Sequence, residues 1–252
     1  MNAPGKLPLM TRLVMLVRLL AVQASWNYET LMGNGFAFAI EPALRRLPGG
    51  VGGEAYRAAL ARHGVYFNAH PYLTGLAVGA LARAELEGDT PGRIERFRAA
   101  ACGPLGSVGD RLIWAGWLPL CSLLALCAFG AGASPLLVVL IFLGVYNAGH
   151  LALRAWTLNA GWEHGLRIAT VLGHPLFRRG PDAIAQVTAA LAGLAVPLAV
   201  ARIVGDRPAQ LAAALAVAAL WTIGTALVAR RADGWRAALI GVAAFATYSL
   251  VS

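Results

Sequence analysis

LIWAGWLPLCSLLALCAFGAGASPLLVVLIFLGVYNAGHLAL occupies residues 112–153 and contains no Asp, Glu, Lys or Arg. Its 42 residues are about twice the roughly 20 that a helix needs to cross ~30 Å of hydrocarbon. At its middle stands Gly130-Ala-Gly-Ala-Ser-Pro135, a run of turn-forming residues. Backbone N–H and C=O groups in lipid have no water to bond and must be satisfied within the segment, which selects helices. The stretch therefore reads as a helical hairpin with spans at 112–130 and 135–153.

Working outward, Asp182 and Arg202 enclose 19 uncharged residues, and Arg207 and Arg230 enclose 22. Another 16 follow Arg236. Each reads as a span, the last one short. The connections 83–111, 154–182 and 230–236 alternate onto one side and carry twelve Lys and Arg, against two on the other side, Arg202 and Arg207. Such a bias puts the arginine-rich side in the cytoplasm. The composition agrees: 58% of residues are hydrophobic and only 13% charged, where soluble domains carry about 25% charged. The net charge of +9 is distributed by topology, which argues against nucleic acid and for loops facing an anionic leaflet. Cys102, Cys121 and Cys127 lie in or beside apolar segments and read as small buried hydrophobes. The apolar run near the start, 13–26, is interrupted by Arg18 and lacks a cleavage site, so it does not read as a signal peptide. The fold class is an all-α integral membrane protein, a polytopic bundle.

The first 110 residues differ. The apolar run 30–40 is too short to span, and residues 64–82 contain Asn68, His70 and Pro71. Short, interrupted segments of this kind suggest re-entrant or discontinuous helices, which survive only when buried in protein or lining a cavity. Segment 83–101 reads as an amphipathic helix or helix pair. The chain thus divides into an amphipathic and re-entrant region, 1–110, and a transmembrane region, 111–252.

Three polar constellations stand out. Gln23-Ala-Ser25-Trp26-Asn27-Tyr28-Glu29 brings amides, a carboxylate and aromatics together. Amides and carboxylates bridge neighbouring sugar hydroxyls, and an aromatic face covers the C–H face of a sugar ring. An interfacial Trp/Tyr belt uses the same residues. Tyr66-Phe67-Asn68-Ala69-His70-Pro71-Tyr72 breaks the backbone, because Pro71 removes a donor and restrains the residue before it. A Pro-kinked helix is the plainer reading of it. Gly103-Pro104-Leu105-Gly106-Ser107-Val108-Gly109-Asp110 holds three glycines that allow positive φ and close backbone approach, with Asp110 placed to cap the following helix. It lacks the Lys-Ser/Thr ending of a phosphate loop. His70 has no partner at metal-ligand spacing, and no serine sits in a Gly-x-Ser-x-Gly elbow.

Taken in order, these segments resemble the IID subunit of the mannose/fructose/sorbose-type phosphotransferase system (PTS). The resemblance rests on Ser25-Trp26-Asn27-Tyr28-Glu29, Phe67-Asn68-Ala69-His70-Pro71, Gly103 to Asp110, Tyr146-Asn147 with Arg154, and Gly161-Trp162-Glu163-His164-Gly165. It covers residues 10–180 well and the terminal spans more loosely. The chain departs from the family pattern at Arg111, where Pro or Ser is usual, and at Leu118, where Arg is common. The resemblance implies a bacterial inner-membrane, multi-pass subunit that pairs with a IIC subunit to form the sugar-translocating unit. It also implies cytoplasmic IIA and IIB domains that carry the phosphoryl group, so this chain is not itself an enzyme. Gln23, Trp26, Asn27, Glu29, Asn68 and His70 would then lie near a hexose-class sugar. Pro71, Gly103, Pro104, Gly106, Gly109 and Asp110 would form structural loops. Membrane lipid would surround the whole, and no cofactor is implied. The alternative is a family-derived scaffold or regulatory protein that no longer transports.

Overall fold

The computed structural model describes residues 7–205 and a few positions beyond, up to residue 224. The span expected at 207–230 is described only at scattered positions, and the one after Arg236 lies outside the described residues. Within the described residues the chain is helical and holds no β-strand beyond two isolated bridges.

Four short helices come first: α1 (Leu9–Leu20), α2 (Gly33–Leu44), α3 (Glu54–Gly64) and α4 (Thr74–Leu86). None is long enough to span. Next comes α5 (Pro91–Gly109), which continues without a break through a π-helical turn, Asp110–Trp117, into α6 (Leu118–Gly130). The 40-residue rod Pro91–Gly130 is about 60 Å long at 1.5 Å per residue. Pro135–His164 forms α7, and two four-residue helices, α8 (Ala169–Leu172) and α9 (Pro175–Arg178), lead to α10 (Gly180–Val204). Among the described residues three helical stretches are long and apolar enough to cross a membrane: Pro91–Gly130, Pro135–Arg167 and Gly180–Val204.

The hairpin turn falls where the sequence places it. Gly132 takes φ +97°, which a residue without a Cβ adopts freely. Ser134 then caps α7 by accepting from the Leu137 N–H at 3.4 Å, with Pro135 at the first helical position. The span reaches further than 135–153, because α7 runs on to His164. Its last ten or so residues exceed the thickness of hydrocarbon, and α1 and α4 pack against them.

Gly103 to Asp110 is helical rather than a loop. Pro104 lies inside α5, and Asp110 opens the π turn in mid-rod instead of capping a helix N-terminus. Local composition favours a break, but tertiary burial overrides it. Ile94, Arg98, Ala101, Leu105 and Gly109 recur at helical spacing and are all buried. A Cβ on Gly109 would stand 2.1 Å from the His70 Cβ, so the helix comes this close to the 65–73 segment only because residue 109 is glycine. Pro119 follows the π turn. A prolyl ring crowds the carbonyl four residues earlier, and a widened turn relieves that crowding. The rod also crosses residue 110, the boundary read between the two regions.

The centre of the N-terminal half is α4, buried from Thr74 to Glu85. It lies against α7 through small residues. A Cβ on Gly79 would meet the Leu158 carbonyl at 2.3 Å, and one on Gly161 would meet the Leu76 carbonyl at 2.2 Å. The two backbones are therefore in direct contact, as small-residue helix crossings allow.

Candidate functional site

The loop between α1 and α2 and the segment between α3 and α4 carry the first two constellations, and the fold binds them together. Asn27 and Leu31 exchange backbone hydrogen bonds, and Leu31 bridges in parallel to Phe67. Met32 N donates to Phe67 O at 3.0 Å, and Phe67 N donates to Thr30 O at 3.1 Å. Asn27 organises its own loop: its Oδ1 accepts from the N–H groups of Glu29 and Thr30, both at 2.9 Å, and its Nδ2 donates to Thr30 Oγ1. An Asn side chain bonding backbone two or three residues on is what closes such turns. Gln23, Trp26, Glu29 and Asn68 are exposed, and Asn27 is half-buried. Tyr28 is 89% exposed, with its ring edge-on to Trp26 at 4.9 Å. Tyr66 is exposed on the neighbouring segment. Side by side, the two segments offer a surface of aromatic rings, amides and one carboxylate.

His70 is not on that surface. It is buried beneath it, with Nδ1 accepting from the Tyr72 N–H at 3.2 Å. Its Nε2 has no hydrogen-bond partner among the described residues. Its ring lies 5.0 Å from both Tyr72 and Trp114. Pro71 is buried in the adjoining turn. The six expected sugar-contacting residues thus divide into an exposed or half-buried group and one buried histidine.

Below His70 an aromatic and cationic cluster ties the N-terminal half to α7. The Tyr72 and Tyr146 hydroxyls share a hydrogen bond at 2.7 Å. His150 stacks on Tyr72 at 4.8 Å and bonds Asn147 at 2.9 Å. Arg154 is buried, places its guanidinium 4.6 Å from the Tyr72 ring centre, and donates to the Leu19 carbonyl. Arg154 thus meets both a π face and a carbonyl, two of the partners a buried cation needs.

Two further anchors hold the loops from behind. Arg98 of α5 donates to the carbonyls of His63, Val65 and Tyr66 at 2.6–3.0 Å, and lies over Phe36 and Phe67. Glu85 accepts from Arg62 twice at 3.0 Å and pairs with His63 at 2.9 Å. Burial raises the Glu85 carboxyl, but the bonds from His63 and Arg62 outweigh it, leaving its pKa below the ordinary value. Burial holds His63 below its ordinary value, against the pull of Glu85. On the other flank, Glu41 accepts from Arg18 and Arg45, both at 2.6 Å, and from the Tyr56 hydroxyl at 2.8 Å. Burial raises that carboxyl too, and the three bonds bring it below the ordinary range.

In the sequence Arg98 is one of the cytoplasmic arginines of 83–111, and nothing local marks Glu85. One signal was available. Ile94, Arg98, Ala101 and Leu105 share a helical face, so an arginine stood in an apolar stripe.

Residues 7–201 match the family described as the PTS system mannose/fructose/sorbose family IID component. The chain belongs to that family. Among relatives of this IID chain, the sorbose-specific EIID component of Klebsiella pneumoniae is 35% identical over 162 residues, covering 62% of this chain and 58% of the relative. The mannose-specific EIID component of Escherichia coli K12 is 32% identical over 159 residues, covering 60% and 54%. The chain therefore spans little more than half the length of these curated relatives. The fold of this IID chain is shared with a chain in the structure of the mannose transporter ManYZ with a microcin, at TM-score 0.59 and 27% identity, covering 75% of this chain and 69% of that one. A second solved membrane protein gives TM-score 0.65 at 26% identity, covering 75% and 70%.

Proposed function

We propose that this IID chain forms, with a IIC subunit, the translocating unit of a sugar phosphotransferase system in a bacterial inner membrane. The observation that carries the reading is the bridge between Leu31 and Phe67, which sets the Ser25–Glu29 and Phe67–Pro71 elements side by side in a chain of this family. Relatives are named for sorbose, mannose and fructose, which supports a hexose-class substrate. Gln23, Trp26, Asn27, Glu29 and Asn68 would contact sugar where this surface meets IIC. Their exposure fits a site that one subunit leaves half-built. His70, with its unpartnered Nε2, would act from behind, positioning the loop or receiving a hydroxyl when the loops shift. Phosphoryl transfer would belong to IIA and IIB domains, and the histidines of this chain would carry no phosphate.

The departure at Arg111 is answered within the chain, because Asp182 pairs with it at 2.7 Å. The test is sugar uptake in a transport-null bacterial host expressing this chain with its IIC, IIA and IIB components. Uptake should require this chain. Glu29→Ala should lower it at least roughly tenfold, the loss of one or two charge-assisted hydrogen bonds to sugar, and Asn27→Ala should lower it by a similar factor by undoing the turn its side chain closes, both with insertion unchanged. Uptake that persists without this chain, or with both variants, would refute the assignment.

A further inference from the structure

A groove away from these loops opens between the π turn, α7, α9 and α10. It has a volume of about 320 Å³, and its walls include Leu112, Trp117, Ala152, Trp156, Leu176 and Ile184. Its lining is apolar, and the Trp117 indole N–H is already directed to the Tyr146 carbonyl.

Its depth is set by its neighbours. Leu112 follows Arg111, Leu153 of the wall precedes Arg154, and Ile184 lies two residues after Asp182. Arg111 and Arg154 bound the uncharged run 112–153 and Asp182 opens the next, so the groove begins where hydrocarbon gives way to headgroups. Trp156 fits that level, where indoles concentrate. It also packs on Phe177 and His174 at 5.5 and 5.3 Å.

The mouth is basic. A Cβ on Gly180 would lie 3.5 Å from Leu112 and 3.7 Å from Leu176, which places Arg179 beside the groove wall. Arg178 and Arg179 are exposed, and their side chains have no partner among the described residues. The Arg111–Asp182 pair lies at the same rim, with both side chains about two-thirds exposed. Arg154 does not compete for the site, since it turns inward onto Tyr72.

We propose that this groove binds an anionic phospholipid. One acyl chain would enter between α7 and α10, and the phosphate would be held by Arg178 and Arg179, with Arg111 at the rim. An apolar slot with Arg178 and Arg179 on the chain beside its headgroup end is complementary in charge to such a lipid and not to a zwitterionic one. The proposal rests on the membrane fold alone and is independent of which sugar, if any, is carried.

The test uses the full chain in phosphatidylcholine nanodiscs doped with phosphatidylglycerol bearing a diazirine on its acyl chain. Cross-linked peptides are then mapped by mass spectrometry. Labels should concentrate on residues 149–156 and 176–184. Arg178→Gln with Arg179→Gln should lower that labelling roughly tenfold, to the level of a phosphatidylcholine probe. Ala152→Trp, or Ala152→Leu if the larger side chain prevents folding, should lower it by blocking the slot. Labelling around Leu140, on the exposed face of α7, should stay constant in every variant. Equal labelling by the two probes, or labels spread evenly over the exposed apolar faces, would overturn the site. So would loss of groove labelling on adding IIC, because a partner helix would then be its occupant.

Discussion

A guanidinium has five N–H donors and no acceptor, so a buried arginine works only where carbonyls converge. Arg98 meets this need with the carbonyls of His63, Val65 and Tyr66, the backbone that leads into the Phe67–Pro71 element. Arg98→Ala would leave three buried or half-buried acceptors unanswered and should cost about 2–4 kcal/mol, seen as a lower melting temperature of the purified chain. Arg98→Lys should recover little of this, because an ammonium cannot spread over three carbonyls in a fixed fork. His63 makes a second prediction. Its folded pKa lies below the ordinary value, first because it is buried. The unfolded chain therefore binds a proton that the folded chain refuses, and stability is complete above about pH 6.5 and lost as pH falls through the folded pKa. Melting temperature should fall on acidification below neutral pH, and His63→Gln should flatten that dependence. A profile equally steep in the variant would assign the acid sensitivity elsewhere.

Among elements, the crossing of α4 with α7 is the tightest. Gly79 and Gly161 each face the other helix's backbone at a distance no side chain tolerates. Gly161→Val should force the helices apart and cost at least about 1–3 kcal/mol. Because Tyr72 stands in the turn just before Thr74 opens α4, the Tyr72–Tyr146 hydrogen bond and the Arg154 contact should loosen with it. Faster hydrogen exchange in 70–86 and 154–165 would report this, whereas exchange unchanged there would mean the crossing is not what seats α4. The long rod carries a different lesson. Its Gly103–Asp110 part contains three glycines and a proline and reads locally as a loop, yet it is helix, because Ala101, Leu105 and Gly109 fill one buried face. Local propensity is weak when each turn of a helix is packed.

For the whole molecule, the chain has two environments. α7 and α10 expose Leu136, Leu140, Leu143, Leu194 and other large apolar residues, as lipid-facing or partner-facing helices do. The N-terminal helices surround the polar end of α7 and seal charged groups into pairs, although α1 also exposes Leu9, Met10 and Val17. The arginine bias predicts opposite sides for the two ends of the hairpin. In a variant lacking Cys102, Cys121 and Cys127, an impermeant thiol reagent should label Ser134→Cys from outside intact cells and Gly88→Cys only after permeabilisation. Labelling of both from one side would invert or dissolve the topology. Local sequence was enough for the membrane class, the hairpin turn at 130–134, the break around Asn68 and Pro71, and the family. Each of these is written in local terms: a charge-free run of sufficient length, a turn composition, a missing N–H, or a motif in order. Tertiary structure alone decided that His70 is buried while Asn68 is exposed, that Leu31 bridges Phe67, that Arg98 gathers carbonyls 32–35 residues away, and that 103–110 stays helical. Those outcomes depend on which backbones can approach closely enough to exclude water, and residues distant in sequence settle that together.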